Sequence, residues 1–89
     1  MKAVWKYILD VTDTQHVPMP RGAELLAVAC QHGRLVLWAR VEPTSALVNR
    51  FIYVCGTGNP APIAARFVGT AVMADGALVW HVFDGGEPG

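Results

Sequence analysis

Apolar residues in this chain recur at every second position, in short runs closed by Gly, Pro, Asn or Asp. No window of helical length carries an i, i+3, i+4, i+7 stripe. That pattern restricts the chain to strands. Candidates lie at 3–9, 24–30, 34–41, 50–55, 65–73 and 78–83, and a further extended segment surrounds Pro18 and Pro20, where only an edge strand tolerates the missing N–H. Gln31, His32 and Gly33 supply a hairpin turn, and Asp75-Gly76 is the dipeptide that favours a primed turn. The segment E-P-T-S-A at 42–46 reads as a loop, with a helical turn allowed over 44–49. The expected fold is all-β: about seven short, mostly antiparallel strands in a small sandwich or barrel-like domain.

With 89 residues, the chain has room for one domain, expected over 1–84, followed by a flexible D-G-G-E-P-G tail whose residues 85–89 lie outside it. Hydrophobic residues make up 53% and charged residues 16%, with seven basic against seven acidic, which places the chain far from disorder. Net charge zero removes the electrostatic footprint that duplex nucleic acid requires. The longest apolar run is L-L-A-V-A-C at 25–30, far short of the roughly 18 residues of a membrane-spanning helix. Lys6 and Asp10 break the opening segment before a signal-peptide core forms, so a cytoplasmic location is expected. Cys30 and Cys55 read as reduced, small core residues.

The strands are more apolar than a half-buried sheet needs. In 34–41, Leu35, Leu37, Ala39 and Val41 occupy one face, and Val36, Trp38 and Arg40 the other. Two apolar faces point to self-association as a dimer or higher homo-oligomer, with Trp38 and Val36 as interface candidates. The eight aromatics all fall within strand candidates, and most are expected in the core, with a few left to stack on a base beside Arg40, Arg50 or Arg66.

The most chemical-looking segment is G-T-G-N-P-A-P at 56–62. Its glycines let backbone N–H groups turn toward an anion, and Thr57 adds a hydroxyl. No G-K-[ST] ending follows, so neither the P-loop nor the dinucleotide fingerprint is present. A wide turn between strands accounts for the same residues. Candidate ligand-binding residues are Gly56, Thr57, Gly58, Asn59, Arg50, Arg66, Thr70 and His81. Gly69 inside a strand suggests a bulge or a close approach, with a tryptophan ring as the favoured neighbour. His16, His32 and His81 lack zinc-ligand spacing, Ser45 lacks a nucleophile elbow, and neither a cofactor nor a catalytic set is expected.

Taken in order, W-K-Y-I-L at 5–9, M-P-R-G-A at 19–23, L-V-L-W-A-R-V at 35–41, G-T-G-N-P at 56–60, F-V-G-T at 67–70 and G-A-L-V-W-H-V-F at 76–83 resemble a family of uncharacterised small proteins of tailed bacteriophages and prophages. The resemblance implies phage origin and carries no site residues. With it, the leading expectation is a non-enzymatic counter-defence inhibitor in the host cytoplasm. It would sequester a nucleotide immune signal or dock on a host defence protein. A phage structural or assembly module and a small nucleotide-degrading enzyme are the alternatives.

Overall fold

The computed structural model describes residues 1–89 and is all-β. Its strands are β1 (Ala3–Leu9), β2 (Thr14–Pro20), β3 (Glu24–Gln31), β4 (Arg34–Val41), β5 (Leu47–Gly56), β6 (Arg66–Met73) and β7 (Leu78–Gly86). They form a three-stranded sheet, β1-β4-β3, and a four-stranded sheet, β2-β5-β7-β6, with every pairing antiparallel. No helix is long and apolar enough to cross a membrane.

The alternation in sequence becomes the division between inside and outside. Leu35, Leu37, Ala39 and Val41 of β4 face Ile52 and Val54 of β5, Val82 of β7, Ala71 of β6 and Met19 of β2 in one buried cluster. Each large aliphatic side chain buried there contributes about 1.5–3 kcal/mol. The shortest dimension of the molecule is 16 Å, so a single interior layer separates the sheets and each outer face meets solvent directly.

Turn chemistry sets the registers. His32 and Gly33, at φ 53° and 74°, make the two-residue β3–β4 hairpin between paired Gln31 and Arg34. Asp75 and Gly76 take φ 53° and 93° beneath an Ala77 N–H to Ala74 carbonyl bond of 3.0 Å, the primed turn that the D-G dipeptide predicts. Prolines 18 and 20 lie on β2, an edge of the larger sheet, where their missing N–H groups break no ladder.

Several expectations are corrected. The helical turn at 44–49 is absent: Ser45 N–H closes a turn on Glu42, and β5 already begins at Leu47. The tail expected at 85–89 starts inside β7, which runs to Gly86, while Glu87 accepts a 2.6 Å bond from Gly22 N–H. Gly69 sits at a bulge, yet its neighbour is no tryptophan. A Cβ there would lie 3.0 Å from Val28 Cγ2, because β3 and β6 pack side by side along the seam between the sheets. The aromatics are not the core. No Phe, Tyr or Trp is fully buried, and the interior is aliphatic, with Tyr7 and Trp80 packed against its margin. Both cysteines are free; Cys30 lies on β3 and Cys55 on β5, in different sheets.

Candidate functional site

Strands β5 and β6 both run antiparallel to β7, which lies between them, so the two are parallel to each other. The chain must therefore travel back along β7 to join them. Residues 57–65 make that return as a strap over the outer face of the four-stranded sheet. The Cys55 thiol donates to the Pro60 carbonyl at 3.4 Å, and a hollow of about 540 Å³ opens between Tyr53, Cys55 and residues 59–62. Cys55 is 9% exposed although it stands outside the core cluster; the strap buries it.

At the start of the strap, Thr57 Oγ1 lies 2.9 Å from His81 Nε2, and Thr70 Oγ1 lies 2.9 Å from Nδ1 of the same ring. Thr70 and His81 are direct cross-strand partners of β6 and β7, while Thr57 arrives from the loop. A neutral imidazole donates to one hydroxyl and accepts from the other, so both nitrogens are occupied. Gly56 leaves little room for a side chain: a Cβ would lie 3.2 Å from the Trp80 ring and 3.1 Å from Asn59 Nδ2. The Asn59 N–H closes back on the Gly56 carbonyl at 3.1 Å, and the Thr57 and Gly58 N–H groups make no bond within the chain. Gly56, Thr57, Gly58, Asn59, Thr70 and His81 are therefore brought together at one place.

Arg50 and Arg66 are not part of it. They line a separate hollow of about 490 Å³ with Asp84 and Phe67, where β6 begins beside β3. Arg50 holds Asp84 through Nε to Oδ1 at 2.9 Å and Nη2 to Oδ2 at 2.7 Å, and its Nη1 lies 3.4 Å from Glu87. The hydrogen bond to Asp84 raises the guanidinium pKa against the effect of burial. Burial alone would push the Asp84 carboxyl up. Hydrogen bonds from Arg50 and the Gly86 N–H, with the charges of Arg50 and Arg66, outweigh it and hold the carboxyl below its ordinary range. Arg50 is thus committed to Asp84 rather than to an anion at the loop.

The sequence reading placed the aromatics inside and so missed what covers the outer face of the larger sheet. His16 meets Phe51 edge-on with ring centroids 4.7 Å apart, Phe51 meets Tyr53 at 5.0 Å, and Phe67 meets Phe83 edge-on at 5.5 Å. The signal was present in parity. In β5 the buried Ile52 and Val54 alternate with Phe51 and Tyr53, and in β7 Val82 separates His81 from Phe83.

On the smaller sheet, Val36 is expected at an interface but is 2% exposed and cannot itself touch a partner. It lies on the face away from the core, opposite Ile8 and Ala29, at the level where Lys6 Nζ reaches across β4 to Gln31 Oε1 at 2.9 Å. Trp38 is half-buried beside it.

Fold and site together define a small two-sheet β domain that gathers the Thr57, Thr70 and His81 cluster and four aromatic rings on one outer sheet face. No three His, Cys, Asp or Glu side chains converge into a group that would hold a metal ion. Over residues 1–89 the chain matches the domain of unknown function DUF7352, and it belongs to that family. No curated protein and no solved structure matches it.

Proposed function

We propose that this protein is a non-enzymatic binding protein that holds a nucleotide on the aromatic outer face of its four-stranded sheet. The observation that carries this reading is the placement of Phe51, Tyr53, Phe67 and Phe83 outside the core, with Phe67 56% exposed. Exposed rings on a sheet are the platform on which bases stack, at about 1–3 kcal/mol per base. The free N–H groups of Thr57 and Gly58 suit a phosphate near the His81 cluster, as oriented backbone donors do elsewhere. His81 favours binding over catalysis. Both its nitrogens are paired with neutral hydroxyls, and no carboxylate bonds the ring to stabilise the imidazolium that a general base becomes. In keeping with the resemblance to small phage proteins, the role we propose is counter-defence, removal of a nucleotide immune signal in the host cytoplasm.

The test is calorimetric titration of the purified protein with adenosine monophosphate and with a cyclic dinucleotide, alongside Phe67→Ala and Thr57→Arg. Binding by the parent and its loss in both variants, each still melting cooperatively as a folded domain, supports the reading. An absence of heat with both probes, and a host protein retained on pull-down instead, replaces sequestration with docking.

A further inference from the structure

A sheet edge is a row of unpaired backbone donors and acceptors, and this fold has four of them. Three are closed. The β2 edge carries Pro18 and Pro20, which have no N–H to offer, and the β3 and β6 edges pack against each other at Val28 and Gly69. The fourth is β1. Its only strand partner is β4, and none of the backbone bonds outside the ladders involves residues 3–9. It contains no proline, and it leaves large apolar groups exposed on both of its faces: Val4 at 58% and Ile8 at 53% on the outer side, Trp5 at 38% on the other.

We propose that β1 pairs with β1 of a second copy around a two-fold axis, joining the two three-stranded sheets into one continuous six-stranded sheet. The strand's own sequence selects the occupant. Ala3-Val4-Trp5-Lys6-Tyr7-Ile8-Leu9 reads the same in chemical type from either end: aliphatic, aliphatic, aromatic, Lys6, aromatic, aliphatic, aliphatic. Antiparallel pairing centred on Lys6 sets Val4 opposite the partner's Ile8, Trp5 opposite the partner's Tyr7, and Ala3 opposite the partner's Leu9. Cross-strand apolar and aromatic pairs of this kind are what stabilise a ladder. The one mismatch is Lys6 opposite its copy, and the bond from Lys6 Nζ to Gln31 draws each ammonium back over its own sheet. A two-fold contact repeats every pair twice, so one self-complementary strand suffices for a closed dimer. This interface uses the smaller sheet and is independent of the aromatic face.

The experiment is sedimentation equilibrium of the parent, Val4→Glu, Ile8→Lys and the double variant carrying both, each checked for folding by thermal melting. Val4 and Ile8 are exposed, so neither single change threatens the core. The parent is expected to be a dimer that tightens as salt screens the paired Lys6 charges. Each single variant should weaken the dimer by about tenfold or more, because an unmatched charge meets an apolar partner. In the double variant the carboxylate introduced by Val4→Glu faces the ammonium introduced by Ile8→Lys in the other copy, twice over, and most of that loss should be recovered. A monomeric parent at high concentration, a dimer indifferent to the single changes, or a folded double variant no stronger than the singles would each overturn the proposal.

Discussion

Arg50 and Asp84 meet in a two-pronged ion pair across β5 and β7, with side chains 12% and 9% exposed, beside the point where the register of the two strands slips. Removing one partner leaves the other charge desolvated. Asp84→Asn is expected to lower stability by about 3 kcal/mol in urea unfolding, the range for breaking a buried pair. Arg50→Lys should recover little, because an ammonium cannot make both bonds.

The same carboxylate sets an acid limit. Its folded pKa lies below the ordinary 3.8, so its contribution is complete above that value and is lost as pH falls through the lower folded one. The parent should lose stability more steeply than Asp84→Asn on acidification below about pH 4. Equal slopes in pH-dependent denaturation would remove Asp84 from the account.

Tyr7 offers a stabilising change. Its hydroxyl is buried with no hydrogen-bond partner, and burial pushes the phenol above its ordinary 10.0. Tyr7→Phe removes an unsatisfied polar atom and should raise stability by about 1–2 kcal/mol. It should also slow the loss of stability above pH 10, where the parent's folded state retains a proton that the unfolded chain releases. A lower melting temperature for Tyr7→Phe would mean that the hydroxyl has a partner in solution.

Gly85 is the residue that the β5–β7 register slip leaves over. A Cβ there would lie 2.8 Å from Tyr53 Cε2 and 3.1 Å from the Phe51 carbonyl oxygen. Gly85→Ala is expected to cost about 1–3 kcal/mol as the ring and the bulge shift. Near-ultraviolet circular dichroism, which reports the packing of Tyr53, should change with it.

Thr57→Val removes the bond that ties the strap to β7 while keeping side-chain volume. Stability should fall by about 1 kcal/mol or less. Amide exchange over 57–65 should speed up by about fivefold while that of the buried Ile52 and Val54 stays unchanged. Uniform acceleration across the sheet would place Thr57 in global rather than local stability.

The strands were readable because alternation and turn chemistry are local. Leu35, Leu37, Ala39 and Val41 fall on one parity, and Asp75-Gly76 can turn the chain only one way. What could not be read depended on which strands become neighbours. Gly69 looked like a seat for a tryptophan ring because its actual partner, Val28, belongs to another sheet and lies far away in sequence. Arg50 looked free to meet a phosphate because Asp84, its counter-ion, comes from a strand that propensity alone ended at Phe83. Val36 looked exposed because alternation puts it outside, whereas β4 is the central strand and both its neighbours crowd over it. At the Thr57, Thr70 and His81 cluster, residue types suggested a site, but only the crossover between parallel β5 and β6 delivers Thr57 to the ring.

That crossover has a consequence for synthesis. β7 is the last of the strands to leave the ribosome, yet it fills the slot between β5 and β6. Until β7 emerges, the nascent chain holds two apolar strands with unpaired facing edges and a strap without its tie to His81. Folding must then proceed by insertion rather than by adding strands at a rim. Such non-local pairing is slow and leaves edges open to other chains. A ribosome stalled within β7 would release an aggregation-prone fragment rather than a smaller domain.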